Sequence, residues 1–470
     1  MIPASKRNIG KTECCANRNG CISKEKRCDL FRYVRWLLYV SAIRPIPFDK
    51  FLPRRFHRYS VPLNLILEIF LDLMVIHMLV LFIFTIYFNY ESGDLEFLIS
   101  VGLQALLYLW TTIIKVVFRR VYLELVNGIL DFVNEEYVIH SAVGFTYVTM
   151  KGCLYQVNKG IRTYVLLCLS AVIFRFFLPI IYNDRTLPLT CWYPVDYKAP
   201  IIYEIAYTFQ TVAQLQLAAT FLVSSVYFIA ACFLLSGQFD ILNCSLKNIV
   251  ATTYIYMGAN KNELIELRDK ERMPDEELNE YFLTAELPFD LDCLPHVLNP
   301  TDTVKPLSFR EAFYYALESC VKQHIFILNA LRKVESLFNL VWLVKTFVVT
   351  LTLCMCAFNI GKLSKGKTFL QVISISHYTF LAVSEIFMIC YASEIVYVNS
   401  QRCDEALLRS PWYLHLRDVR ADYLLFLKNA QQPFEFTAGK VFPLRLEKFR
   451  EIITTSFSFF TLLRNMDELD

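Results

Sequence analysis

The residues of this chain that could bind a metal are four cysteines near its amino terminus, Cys14, Cys15, Cys21 and Cys28. Thiolates hold zinc when four ligands can reach one ion, and finger-type sites combine cysteines with histidines at fixed short spacings. No histidine partner stands at such a spacing here. We therefore interpret these residues as free cytosolic thiols, with lipidation as the alternative, and we expect no metal and no cofactor.

The sequence also lacks the residue patterns that common enzyme mechanisms require. It contains seven histidines, but they form no metal-binding cluster on the apolar segments. A glycine-rich phosphate loop and a plausible triad spacing are missing as well. The sequon Asn243-Cys244-Ser245 is predicted to face the cytosol and to stay unmodified. The sequence therefore predicts a protein that is not an enzyme.

Ionisable side chains within long apolar segments are the other candidates for chemistry, because a charge in hydrocarbon needs a partner or water. His77, Arg175 and Glu385 lie deep in such segments. An ion pair between Arg175 and Glu385, or a water-filled pocket around them, would explain both charges. We expect His77 to be a neutral histidine with satisfied hydrogen bonds, not a proton sensor. Five more charged residues are closer to segment ends and are expected to reach water: Glu68, Asp72, Lys115, Glu204 and Lys345.

The composition indicates that lipid surrounds much of this protein. Charged residues make up 19% of the 470 residues, against about 25% in soluble proteins, and the mean hydropathy is +0.39. A formal net charge of +3 is too close to neutral to favour nucleic acid as a partner. The scattered cysteines, several of them inside apolar segments, imply no disulfide framework.

Seven apolar stretches are about long enough to cross a bilayer, which predicts an all-α membrane protein with seven spans. In chain order the predicted spans are Leu65–Phe88, Leu95–Phe118, Ile161–Tyr182, Ile201–Leu235, Leu340–Phe358, Phe369–Tyr391 and Phe449–Leu463.

The distribution of Lys and Arg predicts the orientation of these spans. Many basic residues precede span one, whereas residues 89–94 between spans one and two contain two acids and no base. By the positive-inside rule, the amino terminus is cytosolic and the carboxyl terminus extracellular. The connection with Lys362, Lys365 and Lys367 is the exception, because it carries three bases on the predicted outer side.

Two of the spans are predicted to continue as helices below the membrane. Residues 239–255 after span four and residues 312–338 before span five keep the helical spacing of apolar side chains. Between them, residues 262–302 are acidic and contain four prolines, which predicts a mobile loop with at most short helices.

Several short segments, separated along the chain, carry a family resemblance. These segments are Leu187-Pro188, Cys191-Trp192-Tyr193-Pro194 with Asp196, Tyr203-Glu204, Gly237-Gln238-Phe239-Asp240-Ile241-Leu242, Cys320-Val321-Lys322-Gln323-His324, Ser410-Pro411-Trp412-Tyr413, Gln431-Gln432-Pro433, Ala438-Gly439, Phe449, and Thr455 through Arg464. In this order they resemble the insect odorant receptor family of seven-span, ligand-gated cation channels. They cover about the carboxyl-terminal three-fifths of the chain, and no single one is specific.

Two departures refine this resemblance. The family's usual Ser-Tyr-Ser in the last span is Ser456-Phe457-Ser458 here, so that one phenol hydroxyl is lost. The tail does not resemble that of the co-receptor shared by the family, which favours a ligand-tuned subunit. Two alternatives stay open: a channel of the related gustatory receptors, and a G-protein-coupled receptor, whose usual motifs and outside amino terminus do not match.

The resemblance implies a tetramer, formed by this chain alone or with the co-receptor, around a central pore for cations. Span seven would line the pore, and Phe460, Leu462 and Leu463 would lie near its constriction, where apolar side chains block ions by dewetting. Packing against neighbouring helices is the alternative role for these three residues. The implied location is the plasma membrane of a sensory neuron dendrite.

The resemblance also implies a site for a small volatile organic ligand in the outer half of the bundle, between spans two, three, four and six. Its wall would be mostly aromatic with a few hydrogen-bonding groups, although each residue alone could simply pack in the core. The candidate residues are Phe97, Val101, Val172, Ile173, Phe176, Phe177, Tyr203, Tyr207, Gln210, Gln214, Ile373, His377, Tyr378, Phe380 and Leu381.

These interpretations divide the chain into six regions. They are a basic cytosolic segment at 1–60, the ligand-sensing spans one to four at 61–235, cytosolic helices with the acidic loop at 236–338, spans five and six at 339–392, further cytosolic helices at 393–448, and the pore-lining span seven with an extracellular tail at 449–470.

Overall fold

A computed structural model of the chain describes residues 29–48, 53–92, 95–121, 123–138, 141, 146–182, 187–259, 266, 285–288, 307–361, 369–410, 413 and 416–467. Within these ranges the protein is mostly helical, with two small antiparallel strand pairs. The helices are α1 Arg32–Val40, α2 Ser60–Asn89, α3 Leu95–Val116, α4 Leu123–Glu136, α5 Met150–Tyr182, α6 Ile202–Lys247, α7 Ile249–Tyr256, α8 Phe309–Gly361, α9 Phe369–Arg409, α10 Leu416–Ala430 and α11 Leu446–Asp467; the strands are β1 Thr146–Thr149, β2 Ala285–Pro288, β3 Thr437–Ala438 and β4 Phe442–Pro443.

Six helices among the described residues are long and apolar enough to cross a membrane: α2, α3, α5, α6, α8 and α9. Each coincides with one of the first six predicted spans, because a continuous apolar sequence in lipid must satisfy its backbone hydrogen bonds within the helix. The predicted span seven is the helix α11, which is not among these six. The chain is thus a multi-pass membrane protein.

The helix α6 lies at the centre of the subunit. It packs against α1, α2, α3, α5, α8 and α9, and nearly all of its side chains from Leu217 to Leu246 are buried. The predicted helical continuation of span four is confirmed up to Lys247, where one non-helical residue, Asn248, separates α6 from α7. The predicted continuation before span five is also confirmed, because α8 is a single helix of 53 residues.

The structure adds several elements that the sequence interpretation missed, and helix α1 and the strand pair of β1 with β2 are two examples. Helix α1, within the segment expected to be only a basic leader, buries Val34, Leu37 and Leu38 against the bundle. Strand β2 pairs with β1 in the register Thr146↔Pro288 to Thr149↔Ala285. The expectation of at most short helices in 262–302 is therefore wrong at 285–288. A strand of four residues that ends in proline carries little sequence signal, and its pairing depends on a distant partner.

Several sequence predictions lie outside the described residues. They concern the amino-terminal cysteines, most of the acidic segment 262–302 and the connection with Lys362, Lys365 and Lys367.

Candidate ligand site and pore helix

Two hydrogen bonds join the helices that carry the predicted ligand residues. The hydroxyl of Tyr207 on α6 donates to the carbonyl oxygen of Phe176 on α5 at 2.7 Å. The hydroxyl of Tyr108 on α3 donates to Gln214 Oε1 on α6 at 3.0 Å, and both side chains are buried. The outer half of α6 therefore brings predicted residues of spans three and four together, and it adds Tyr108, which sequence reasoning had not selected.

Gln210 on α6 has a different set of partners from the one expected for a ligand residue. Its side chain is fully buried. Its Oε1 accepts from the backbone N–H of Leu189 at 2.9 Å, and its Nε2 donates to the Leu189 carbonyl at 3.1 Å, to Cys191 Sγ at 3.2 Å and to Tyr193 Oη at 3.4 Å. The amide thereby holds the segment 187–194 at the end of the bundle where α6 begins. Direct contact between Gln210 and a ligand stays a prediction.

Cys191 in this segment is held as a neutral thiol. Burial raises the pKa of Cys191 to about 12, although hydrogen bonds with Tyr193 and Gln210 favour its thiolate. The thiol is therefore protonated at neutral pH and is a poor nucleophile. Cys191 contributes packing and a hydrogen-bond acceptor to the segment, with no reactivity implied.

Replacing Gln210 by leucine is expected to destabilise the outer end of the bundle. Leucine leaves the buried N–H and carbonyl of Leu189 without side-chain partners, and each unsatisfied buried group costs about 1–3 kcal/mol. We expect the purified Q210L protein to lose about 2–4 kcal/mol of unfolding free energy by the same reasoning. Thermal unfolding in detergent measures this loss.

The matched control is T208V on the same helix. The Thr208 hydroxyl is exposed and donates to the Glu204 carbonyl one turn away, which is a bond within the helix. T208V should unfold close to the temperature of the unaltered protein. Equal stability of Q210L and T208V would show that Gln210 does not hold the segment 187–194.

The remaining predicted ligand residues differ in burial. Val101 and Val172 are buried, whereas Ile173, Phe177 and Phe380 are more than half exposed on the single chain. The side chain of Tyr378 lies outside the described residues. The partly buried members of the set are Phe97, Phe176, Tyr203, Tyr207, Ile373, His377 and Leu381.

Two histidines in the bundle have ring nitrogens without a hydrogen bond. His77 Nδ1 on α2 is buried and has no partner among the described residues, so the expectation of a satisfied histidine is wrong at this atom. Its ring lies 6.3 Å from the Tyr193 ring and 6.2 Å from the Phe209 ring, centroid to centroid. His377 Nε2 on α9 is also buried and has no hydrogen-bond partner within the described part of the chain. Both atoms could hydrogen-bond a guest with a polar group.

A buried ion pair links α8 to α9 in the middle of the bundle. Lys345 Nζ lies 2.6 Å from Glu385 Oε1, and the side chains are 1% and 3% exposed. The ammonium also donates to Ser225 at 2.7 Å and to Ser224 at 3.2 Å, both on α6. It lies 4.4 Å from the centre of the Phe221 ring, which adds a cation–π contact. Three helices therefore share one charged cluster away from solvent.

This cluster corrects one expectation from the sequence. Lys345 does not reach water, because α8 starts at Phe309 and places position 345 well inside the packed bundle. Among the described side chains, Glu385 pairs with Lys345. The side chain of Arg175, its predicted partner, lies outside the described residues, so that pair stays a prediction. The rotation of each helix about its axis decides which partner a buried charge meets. The position of a residue along the chain does not specify that rotation.

A second charged cluster joins α2, α3 and α6. Lys115 Nζ lies 2.9 Å from Asp72 Oδ1 and donates to Gln216 Oε1 at 3.2 Å. Arg119 pairs with Asp72 at 2.5 Å and also donates to the carbonyl of Ala42 after α1. The expectation that Lys115 reaches water is wrong, because its side chain is 3% exposed. Internal partners replace water around this ammonium.

The helix α11 packs one face on the bundle and exposes the other. Ile452 lies in an apolar cluster with Val349 and Leu353 of α8 and Ile386 and Cys390 of α9. Away from this contact, three large apolar side chains are at least half exposed: Phe457, Phe459 and Leu462. Phe460 is partly buried, and the side chain of Leu463 lies outside the described residues. Large apolar side chains that stay exposed on the single chain indicate a protein or lipid contact.

The fold defines a multi-pass helical membrane protein. The model of a family described as 7tm odorant receptor matches residues 146–457. Odorant receptor 83a of Drosophila melanogaster is 41% identical over 445 residues, covering 94% of this chain and 96% of that protein. Putative odorant receptor 85e of the same species is 30% identical over 94% of this chain and 93% of that protein. The chain therefore belongs to the 7tm odorant receptor family, as the sequence resemblance had indicated.

A solved structure supports the same fold. The olfactory receptor OR5 from Machilis hrabei, in complex with eugenol, matches 93% of this chain and 98% of its own with a TM-score of 0.67. The sequence identity is 14%, so this likeness concerns the arrangement of helices alone.

Proposed function

We propose that this chain is the odorant-binding subunit of a ligand-gated, non-selective cation channel. The observation that carries the proposal is the identity of 41% with an odorant receptor across nearly the whole length of both chains. A ligand-tuned subunit, as opposed to the shared co-receptor, is the assignment that the tail sequence favours.

The proposed ligand is a small volatile organic molecule bound in the outer half of the bundle. The aromatic residues of α5, α6 and α9, together with the unpartnered nitrogens of His77 and His377, support an apolar guest with one polar group. The structurally similar OR5 was solved with eugenol, a molecule of that kind. Burial of apolar surface would supply most of the affinity.

The proposed pore is lined by α11 of four subunits, with the co-receptor or further copies of this chain as the partners. The exposed apolar side chains of Phe457, Phe459 and Leu462 support a buried position for this face in an assembly. In this arrangement α11 is the seventh span, the amino terminus is cytosolic and the carboxyl terminus extracellular. The six-region division given above and a location in the dendrite membrane belong to the same proposal.

The test is a recording from cells that express the chain alone or with the co-receptor. Eugenol and a panel of volatile alcohols, esters and phenols should evoke a cation current that persists when G proteins are blocked. A response to soluble tastants only would favour the gustatory alternative. A tag at Met1 that antibodies reach on intact cells would contradict the topology and favour a G-protein-coupled receptor. Silence of every combination under every ligand would contradict the channel.

A further inference from the structure

The start of helix α11 is fixed to α9 by one carboxylate. Glu394 on α9 receives two hydrogen bonds from the Arg445 guanidinium, Nη2 to Oε1 at 3.0 Å and Nε to Oε2 at 3.3 Å. Its Oε2 also accepts the backbone N–H of Leu446, the first residue of α11, at 3.2 Å. A carboxylate at this end of a helix satisfies an otherwise unpaired donor and complements the helix dipole.

The guanidinium of Arg445 is itself held in place on three sides. It lies 3.9 Å from the centre of the Tyr397 ring, one turn beyond Glu394 on α9. Glu435, before the hairpin that leads into α11, lies 3.9 Å away on the other side. The hydrogen bonds with Glu394 raise the pKa of Arg445. A two-pronged contact of this kind fixes orientation as well as distance.

The preceding hairpin restricts the backbone where it turns toward Arg445. Gly439 has a φ of +62°, and a Cβ built there would lie 2.5 Å from Leu343 Cδ2 on α8. The Gly439 N–H donates to the Asn339 carbonyl of α8 at 3.0 Å. The chain therefore enters α11 from a fixed point on α8, and Glu394 sets its position relative to α9.

Glu394 continues a face of α9 that contacts α11 over more than two turns. Ile386 and Cys390, spaced four residues apart like Cys390 and Glu394, pack in the cluster that contains Ile452 of α11. The ring centroids of Phe387 on α9 and Phe449 on α11 are 5.5 Å apart. Since α9 is continuous from Phe369 to Arg409, the helix that carries His377 is also the helix that holds the start of α11.

We propose that Glu394 is a positioning residue that transmits movement of α9 to the pore helix α11. This proposal rests on the proposed channel function and deepens it. Displacement of the outer part of α9 by a ligand moves Glu394, and the paired Arg445 with the Leu446 N–H carries the start of α11 along. The side chains of Arg445 and Glu394 are 32% and 20% exposed, so their contact adds modest stability and acts through geometry.

The test compares E394Q, R445Q and the double variant in the channel formed with the co-receptor. E394Q keeps an oxygen for the Leu446 N–H but loses the charge that pairs with Arg445. The probe is the volatile of the panel that evokes the largest current from the unaltered channel. We expect each single variant to lower the maximal evoked current per surface channel by about fivefold or more. The current of the double variant should be no lower than that of the single variants, because both changes break one coupled contact.

The matched control is K448Q, which breaks an ion pair within α11. Lys448 Nζ lies 2.6 Å from Glu451 Oε2, and this ion pair joins two residues of α11 without involving α9. K448Q should conduct within about twofold of the unaltered channel, because an exposed pair within one helix contributes little. E394D keeps the charge on a side chain shorter by one methylene, and its current should lie between those of the unaltered channel and E394Q.

Three results would overturn this proposal. They are unchanged maximal current in E394Q and R445Q, losses that multiply in the double variant, and an equal loss in K448Q. Absence of every Glu394 variant from the surface, with normal surface levels of K448Q, would assign the contact to assembly and also overturn it. No current from the unaltered chain would instead contradict the proposed channel function.

Discussion

Substitution of Lys345 by methionine is expected to remove most of the protein from the cell surface. The change removes the ammonium that pairs with Glu385, and the carboxylate stays buried beside the Ser225 hydroxyl of α6, which donates to it. Removing one member of a buried pair costs about 3–5 kcal/mol, because the other charge stays uncompensated. That loss is a large share of the 5–15 kcal/mol, roughly, by which proteins are stable. Surface labelling and thermal unfolding in detergent measure it.

The double variant K345M/E385L distinguishes the effect of an unpaired buried charge from the effect of altered side-chain packing. With both charges gone and apolar side chains in their place, most of the lost stability should return, because well-packed apolar groups often replace buried ion pairs without cost. The control is K440M, since the Lys440 ammonium is 69% exposed where it pairs with Glu335. Normal surface levels of K345M, or a double variant no better than the single one, would show that the pair is not required for folding.

Serine at Phe460 or Leu463 is expected to raise the basal current of the channel by about tenfold, because a polar side chain lowers the dewetting barrier of an apolar constriction. A tenfold change corresponds to about 1.4 kcal/mol in the equilibrium between closed and open pores. Leu462 is expected to respond in the same direction if its exposed side chain faces the axis. Whole-cell recording without ligand, normalised to surface protein, gives the measurement, and reversal potentials in mixed cations report any change in selectivity.

V441S is the matched control for these pore substitutions. Val441 is 72% exposed in the hairpin before α11, outside the predicted pore lining. Its current should match that of the unaltered channel. Unchanged basal current and selectivity at Phe460, Leu462 and Leu463 together would remove these residues from the gate.

The sequence predicted the long helices well because their signal is local. Continuous apolar residues identified the first six spans, and apolar spacing predicted that α6 and α8 extend beyond the membrane. Helix α1 carried a signal of the same kind, since Val34, Leu37 and Leu38 share one face, and a search for short amphipathic helices would have found it.

The polar contacts could not be predicted in the same way because they depend on helix rotation and on distant partners. Lys345 was expected to reach water, whereas the structure pairs its ammonium with the buried carboxylate of Glu385. Gln210 was predicted to contact a ligand, but its side-chain amide hydrogen-bonds the backbone of Leu189. The link from Glu394 to Arg445 joins positions 51 residues apart. No periodicity in the sequence specifies such a contact.

The length of α8 has a mechanical consequence. A continuous helix of 53 residues is about 80 Å long at a rise of 1.5 Å per residue. If such a rod pivots near one end, a tilt of about 5° displaces the other end by roughly 7 Å, several times the atomic shift needed at the pivot. Small adjustments of the side chains near one end of α8 can therefore produce large displacements at its other end.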